Sequence, residues 1–143
     1  MSWMTILIII ILVIAAGGIA ISAYSEECPA VQKHTMSELL DAIEQVESGG
    51  NTLAVGRNGE CGSFQLKKIY VDDVNRIIGR KIFSYDDRWD RQKSRHIVAI
   101  YLNHYGKNKS ILDKARIHNG GPRGDKLKCT EQYAAKIWRQ LCR

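Results

Sequence analysis

Residues 35–50 read TMSELLDAIEQVESGG, and this stretch decides the fold of the chain. Its apolar residues recur every three or four positions, which places them on one face of a helix over residues 36–47; they are Met36, Leu39, Leu40, Ile43 and Val46. Thr35 and Glu38 have the spacing of a capping box, and Gly49 can end the helix. The pattern therefore predicts an amphipathic helix with one buried stripe.

Glu47 lies at the end of that stripe. It stands four residues after Ile43 and seven after Leu40, which places its carboxyl group on the apolar face. A carboxyl group held against apolar surface at the mouth of a cleft is harder to ionise, and a protonated carboxylic acid can protonate a glycosidic oxygen as the bond breaks. We therefore predict that Glu47 is a general acid. The alternative is a glutamate that caps the helix end or forms a salt bridge.

The composition is that of one basic domain. The chain has 143 residues, and with the first two dozen set apart about 115 remain, enough for one core. All 21 Lys and Arg lie at or after Lys33, whereas 13 of the 15 acidic residues follow residue 27, so residues 28–143 carry a formal charge of +8. Such a domain is attracted to polyanions. Because the basic residues are scattered and form no arginine-rich tract, we predict no nucleic-acid partner, and an acidic wall polymer fits better.

Residues 5–23 form an uncharged run of apolar or small residues. A membrane-spanning helix needs roughly 17–25 such residues, and the core of a signal peptide has about 7–15. We therefore predict an N-terminal transmembrane anchor over residues 1–24, a linker over 25–34 and a folded domain over 35–143. The expected localisation is single-pass in a membrane, a viral membrane included, with the domain on the extracytoplasmic side. The alternative is a cleaved signal peptide and a secreted domain, because Ile21-Ser22-Ala23 is a tolerable signal-peptidase site.

Four cysteines follow the apolar segment, namely Cys28, Cys61, Cys129 and Cys142. An even count in a small domain behind such a segment fits an oxidising compartment and up to two disulfides, for which three pairings exist. Of these we expect Cys129 to pair with Cys142 around the last helix. The histidines and cysteines show no zinc spacing, so we predict no metal site, and no cofactor is implied.

The rest of the domain is predicted to be mostly helical with one small hairpin. Asn58-Gly59 lies between two short segments after Gly50, which predicts a β-hairpin, with a plain surface loop as the alternative. Further helices are expected over residues 67–78, 90–105 and 110–117 and from Thr130 onward, with a break at residues 118–122. The predicted fold class is therefore α+β, mostly α, preceded by one transmembrane helix.

Four motifs occur in order and carry a family resemblance. They are Glu47-Ser48-Gly49-Gly50-Asn51, Cys61-Gly62-Ser63-Phe64-Gln65-Leu66-Lys67, Ala115-Arg116-Ile117-His118-Asn119-Gly120-Gly121-Pro122 and Tyr133. Over residues 38–141 the chain resembles the lysozyme superfamily. The second and third motifs are similar to invertebrate-type lysozymes (destabilases). The first motif, with Asn-Gly-Gly-Pro and Tyr133, is similar to soluble lytic transglycosylases and goose-type lysozymes. The resemblance implies a lysozyme-like fold.

The resemblance also implies roles for four residues. Glu47 matches the catalytic general acid, Gln65 and Asn119 match residues that line the sugar cleft, and Tyr133 matches the aromatic residue beside the acid. Each of the last three has a structural alternative. Gln65 can satisfy buried backbone, Asn119 can adopt a positive φ in a turn, and Tyr133 can fill the core.

The chain departs from the invertebrate-type pattern at the second acid. Those lysozymes have an aspartate shortly before the hairpin glycine, where this chain has Ala54. A retaining glycosidase needs two carboxyl groups about 5–5.5 Å apart. Glu60, Asp72 and Asp73 are the nearby acids that could replace the missing one. Transglycosylases use one glutamate as acid and then as base, while a hydroxyl group of the cleaved sugar closes an anhydro ring.

The resemblance implies a glycosidase that cuts the β-1,4 bond between N-acetylmuramic acid and N-acetylglucosamine in peptidoglycan, as a lysozyme or a lytic transglycosylase. Its expected partners are peptidoglycan or a related glycan, and a membrane through residues 5–23. The alternative, favoured by Ala54, is a non-catalytic protein that keeps the fold. Such a protein would bind glycan or form part of a virion or a wall-spanning assembly. The organism and the oligomeric state stay open.

Overall fold

The computed structural model describes residues 33–143, and within this range five α-helices form the domain. They are α1 (Met36–Ser48), α2 (Lys68–Ile78), α3 (Arg91–Tyr105), α4 (Ile111–Gly120) and α5 (Glu131–Leu141). Short 3₁₀ helices in the connections span Tyr85–Arg88, Gly124–Lys126 and Lys128–Thr130.

Helix α1 begins and ends as its sequence predicts. The Thr35 hydroxyl accepts a hydrogen bond from the Glu38 amide at 3.2 Å, and the Glu38 carboxylate accepts one from the Thr35 amide at 2.6 Å. At the other end Gly49 has a left-handed φ of +64°, and its amide donates to the Gln45 carbonyl. These contacts satisfy backbone groups at both ends of the helix. The contact of Gly49 also fixes the last helical turn, which carries Glu47.

Helix α1 lies at the centre of the packing. It contacts α3, α4 and α5, while α2 packs on α3 and α4 packs on α5. Its predicted apolar stripe is confirmed, since Leu39, Leu40 and Ile43 are buried in the core. Every helix adds to this core, which includes Val71, Val74, Ile97, Val98, Leu102, Ala115, Ile117 and Ile137.

The predicted α+β fold class is wrong, because residues 33–143 contain no β-strand. Two isolated antiparallel bridges take the place of the hairpin, one between Val55 and Cys61 and one between Cys61 and Leu66. Asn58-Gly59 does lie in a turn, and Gly59 has a φ of +82°. Residues 49–67 therefore form a loop, here called the cleft loop, as the alternative interpretation of the sequence had it.

The cleft loop lacks what holds two strands together. A half-buried strand pair needs one apolar face against the core, but Leu53 and Val55 are 76% and 74% exposed. A side chain also binds backbone carbonyl groups that would pair with amides in a β-ladder. The Gln65 amide donates to the carbonyls of Ala54 at 3.1 Å and Gly62 at 2.8 Å.

No helix among the described residues is long and apolar enough to cross a membrane. On this finding, we correct two predictions: the transmembrane helix that was part of the predicted fold class, and the single-pass membrane localisation. The predicted anchor over residues 5–23 lies outside the described residues, as does most of the predicted linker.

The predicted pairing of Cys129 with Cys142 is also wrong. Cys61 is a buried free thiol and Cys129 an exposed one. The reason is geometric, because Cys129 precedes α5 and Cys142 follows it. An α-helix of 11 residues separates its two ends by roughly 16 Å, whereas the two Cα atoms of a disulfide lie within about 7 Å. Cys28 lies outside the described residues.

Helix α4 runs three residues further than predicted and ends at Gly120. The predicted break at His118 does not occur, because the chain turns only at Gly121, which has a φ of +80°. Gly120 packs closely on the segment before α5, where a Cβ atom at residue 120 would lie 2.6 Å from Cγ2 of Thr130. His118 and Asn119 therefore lie on the rigid last turn of α4 and not in a loop.

An ion pair between a buried carboxylate and an exposed arginine joins α1 to the first turn of α3. The Glu44 side chain is only 1% exposed, and its two oxygens accept hydrogen bonds from Nε and Nη2 of Arg91, each at 2.7 Å. The hydrogen bonds from Arg91 lower the pKa of Glu44 below its ordinary value. The carboxylate is therefore ionised inside the domain, with Arg91 as its main partner.

We expect the Arg91→Ala variant to lose about 2–3 kcal/mol of unfolding free energy at neutral pH, because it leaves a buried carboxylate without its partner. Since the folded-state pKa of Glu44 is lowered, the pair stabilises the fold above the ordinary glutamate pKa, and this contribution is lost as the pH falls through the folded-state value. The loss caused by the substitution should therefore shrink at acidic pH, which urea unfolding at two pH values would measure.

The control for this prediction is Asp41→Ala, which removes the partner of Arg95. The Asp41 side chain is 62% exposed, so this substitution should cost less than about 1 kcal/mol. Equal losses in the two variants, or a loss in Arg91→Ala that does not change with pH, would contradict the assignment.

Arg88 and Gly62 hold the cleft loop in place. Arg88 is 6% exposed, and its guanidinium donates to the carbonyls of Tyr85 at 2.7 Å, Leu66 at 3.1 Å and Gly59 at 3.3 Å. Gly62 has a φ of +79°, and a Cβ atom there would lie 1.8 Å from the Arg88 carbonyl oxygen. Only glycine allows this approach of the two backbones.

Two glycines of the cleft loop give a matched test of this contact. Gly59 has a similar φ of +82° but nothing within 4 Å of a Cβ atom, so Gly59→Ala should cost only the left-handed backbone strain of about 1–2 kcal/mol. Gly62→Ala adds a clash with backbone, and its unfolding free energy should fall by clearly more. Equal losses in chemical unfolding would show that the Gly62 contact does not constrain the loop.

Candidate active site

A cleft of about 480 Å³ opens between the cleft loop and the helices. Glu47 lines it from the end of α1, and His118 and Asn119 line it from the last turn of α4. The opposite side is formed by the cleft loop and the two helices that follow it, through Glu60, Gln65, Leu66, Lys67, Ile69, Tyr70, Asp73 and Tyr101. The structure therefore brings the predicted acid together with two of the three other predicted site residues.

The Glu47 carboxyl group has two unlike oxygens. Its side chain is 20% exposed, and Oε1 accepts a hydrogen bond from the Tyr133 hydroxyl at 2.7 Å. Nε2 of His118 lies 3.5 Å from the same oxygen. No described residue hydrogen bonds Oε2. One oxygen is thus engaged by the protein while the other is open to whatever enters the cleft.

Tyr133 is the predicted site residue that does not line the cleft. It is only 9% exposed and projects from α5 behind Glu47. Burial raises the pKa of its phenol well above the ordinary value, and the neighbouring Glu47 charge adds to this. The hydroxyl therefore stays protonated and can donate to Glu47 throughout the ordinary pH range.

His118 extends the contacts of Glu47 to the far side of the cleft. Its side chain is 4% exposed, and its Nδ1 lies 3.2 Å from the Tyr70 hydroxyl oxygen. The Tyr70 ring stacks on Tyr101 with centroids 4.0 Å apart, and burial raises the pKa of Tyr70 well above its ordinary value. A continuous row of polar contacts therefore runs from Tyr133 through Glu47 and His118 to Tyr70.

Gln65 lines the cleft, but its side-chain amide hydrogen bonds to the backbone. Both of its hydrogen bonds go to carbonyls of the cleft loop, and its own φ of +48° is left-handed. Asn119 also lines the cleft, with no described protein group holding its side chain by a hydrogen bond. The amide of Asn119 is therefore free to bind a ligand, whereas that of Gln65 shapes the loop.

Two of the three alternative acids line the cleft, and both have protein partners. Glu60 accepts a hydrogen bond from the Asn58 amide at 2.8 Å, and Lys67 lies 3.1 Å from its other oxygen. Hydrogen bonds from the amides of Glu60 itself and of Asn58, followed by Lys67, lower the pKa of Glu60 to about 2. Asp73 pairs with Arg76 and accepts a hydrogen bond from Tyr105 at 3.1 Å.

Asp72, the third alternative acid, faces elsewhere and accepts a hydrogen bond from Tyr85 at 2.9 Å. Within residues 33–143 no group of three or more His, Cys, Asp or Glu side chains could hold a metal ion.

Comparison with known proteins assigns the family. Residues 26–140 match the family model of the transglycosylase SLT domain, which covers most of the chain. The chain belongs to the SLT transglycosylase family. This confirms the predicted resemblance to the lysozyme superfamily and the prediction of a lysozyme-like enzyme.

Lysozymes of three oysters are similar to this SLT domain. The lysozyme of Magallana gigas is 31% identical over 110 residues, which are 74% of this chain and 80% of that protein. The lysozyme of Ostrea edulis is 32% identical over 84 residues, 58% of each chain. Lysozyme 1 of Crassostrea virginica is 30% identical over 109 residues, 73% of this chain and 59% of its own. The match thus spans less than two thirds of the latter two proteins.

Sequence analysis missed His118 and Tyr70 as site residues of this SLT domain. Tyr70 fits the apolar face of the helix over residues 67–78, which favours a place in the core, although its hydroxyl reaches His118. His118 stands directly before Asn119 in the Asn-Gly-Gly-Pro motif. That adjacency was the available signal, but it points to the cleft only once the two residues are known to share a helical turn.

We expect a measurable energetic coupling between Tyr133 and Glu47. In a double-mutant cycle of Tyr133→Phe and Glu47→Ala, the coupling in unfolding free energy should be about 1–2 kcal/mol, because a hydrogen bond to a charged and partly exposed group is removed. The matched pair Tyr85→Phe and Asp72→Ala removes a similar bond between exposed groups and should couple less. A coupling near zero for Tyr133 and Glu47 would contradict the geometry.

Proposed function

We propose that this SLT-family domain cleaves the β-1,4 bond between N-acetylmuramic acid and N-acetylglucosamine in peptidoglycan, with Glu47 as its only catalytic carboxyl group. The observation that carries the proposal is the placement of Glu47. It lines the cleft from a rigid helix end, and one of its oxygens has no described protein partner. The names of the family and of the oyster lysozymes support the substrate class.

The proposed reaction uses Glu47 twice. As an acid, Glu47 gives its proton to the glycosidic oxygen, and the bond from the sugar carbon to that oxygen breaks. As a carboxylate, it then takes the proton from a hydroxyl group of the same sugar, whose oxygen bonds to the anomeric carbon. The product is an anhydro sugar, and Glu47 regains the proton that it gave. No water, metal or cofactor is consumed in this sequence.

The state of the other carboxylates supports a single-acid mechanism. Ala54 stands where invertebrate-type lysozymes have an aspartate. Glu60 is bound by a backbone amide and Lys67, and Asp73 by Arg76 and Tyr105. A carboxylate engaged in this way is a poor nucleophile, because its lone pairs are already in use.

The other predicted site residues receive distinct roles in this proposal. Tyr133 stabilises the ionised form of Glu47 by donating to Oε1. Asn119 binds the sugar through its free amide, and Gln65 acts indirectly by shaping the cleft loop. The positive charge of residues 28–143, +8 in formal terms, holds the domain near an anionic wall.

The test is mass spectrometry of soluble products after the full-length chain is incubated with purified peptidoglycan. The unmodified protein should release fragments with anhydro ends, each lighter by one water molecule than a hydrolysed end. Glu47→Gln should lower the rate by about 10²–10⁴-fold, because the amide cannot donate the acid proton. The matched variants Glu60→Gln and Asp73→Asn should each keep the rate within about tenfold.

Two other outcomes would replace the proposal. Reducing ends, together with inactivity of a folded Glu60→Gln or Asp73→Asn variant, would indicate a hydrolase with a second acid. No products from the unmodified protein, with glycan binding that survives Glu47→Gln, would favour the non-catalytic alternative. Circular dichroism of each variant would separate a chemical effect from unfolding.

A further inference from the structure

The two oxygens of Glu47 differ in a way that bears on where its proton sits. Tyr133 can only donate to Oε1, because its phenol stays protonated at the pH values at which proteins are stable. A second polar group, Nε2 of His118, lies at 3.5 Å from the same oxygen. What His118 does there depends on which of its ring nitrogens carries hydrogen.

The contact between Tyr70 and His118 bears on that question. Its hydroxyl group holds a proton, since burial raises the pKa of the phenol well above its ordinary value. The only hydrogen-bond partner that the described residues offer this hydroxyl is Nδ1 of His118, at 3.2 Å. A hydroxyl that donates to Nδ1 requires that nitrogen to be without hydrogen. When the Tyr70 hydroxyl is the donor of this contact, the neutral ring carries its hydrogen on Nε2, the nitrogen that faces Glu47.

We propose that His118, held in this tautomer by Tyr70, is a positioning residue that places the acid proton of Glu47 on Oε2. With donors from both Tyr133 and His118 directed at Oε1, a proton on that oxygen would face two other hydrogens. The proton therefore resides on Oε2, the oxygen that no described residue engages. This inference rests on the proposed function, because it matters only if Glu47 is the acid.

The residues around His118 restrict the orientation of its imidazole ring. Its side chain is 4% exposed, and it lies between the Tyr70 and Tyr133 rings, with centroids 5.6 Å and 6.3 Å away. Helix α4 fixes its backbone up to Gly120. The 3.5 Å contact to Glu47 is longer than a good hydrogen bond, but such contacts often tighten when substrate binds. His118 contacts Glu47, so in this proposal it acts through the acid.

The first test reads the tautomer directly and needs no activity. Nitrogen-15 NMR of the full-length chain, at a pH above the titration of imidazole, distinguishes ring nitrogens with and without hydrogen. The His118 signal is assigned as the one that disappears in His118→Gln, which separates it from His34, His96 and His104. We expect hydrogen on Nε2, and a shift of the population toward Nδ1 in Tyr70→Phe. Hydrogen on Nδ1 in the unmodified protein would overturn the proposal.

The second test uses two amide substitutions to separate the contact of His118 with Tyr70 from its contact with Glu47. Asn at position 118 can accept from Tyr70 but is too short to reach Glu47, whereas Gln can place an N–H group near the position of Nε2. We expect His118→Asn to lower kcat by about tenfold with KM little changed, and His118→Gln to recover most of that loss. A merely structural role would not favour Gln over Asn.

The outcomes separate this inference from the proposed function. If both variants are equally slow, or if KM rises while kcat is kept, His118 does not position the acid, even though cleavage by Glu47 stands. If the unmodified protein cleaves nothing, the proposed function fails, while the NMR result still decides the tautomer.

Discussion

The pair of the buried Glu44 with Arg91 is the interaction on which the site depends. A carboxylate that is 1% exposed is tolerated only with its partner in place, so the end of α1 and the start of α3 keep one relative position. Glu47 follows Glu44 by three residues, on nearly the same side of the helix. The contact that stabilises the fold therefore also fixes the place from which the proposed acid enters the cleft.

The opposite side of the cleft is held by polar contacts together with the burial of Phe64 and Leu66 in the core. The cleft loop exposes Leu53 and Val55 and keeps its shape through Arg88, whose guanidinium binds three carbonyls, and through the Gln65 amide. Gly62 lets the loop backbone touch the Arg88 carbonyl. A loop held in this way can present the cleft without strands, because side chains and backbone bonds within the loop together satisfy its backbone groups.

Local sequence rules predicted the helices well and the long-range contacts poorly. The apolar period and the capping box of α1 depend on neighbours within four residues, and both are confirmed. The absence of strands depends on exposure of Leu53 and Val55, which only the tertiary structure determines. The same holds for the His118 contact, since Glu47 and His118 are 71 positions apart in the sequence and meet only through the packing of α1 on α4. The position of Glu47 at the end of a helix could be predicted because its motif is local, whereas its contact with His118 could not.

Two glutamates one helical turn apart show how partners divide structure from chemistry. Glu44 faces the guanidinium of Arg91, a fixed positive charge that lowers its pKa, so protonating it would cost the fold its ion pair. Glu47 faces a phenol and an imidazole, neither of which carries a fixed charge. A carboxyl group that must give a proton and take one back in the same reaction needs partners that stabilise both of its forms. Tyr133 and His118 suit that proposed role, because Tyr133 holds Oε1 by a hydrogen bond and the His118 ring lies 3.5 Å from the same oxygen, while neither is a permanent counter-ion.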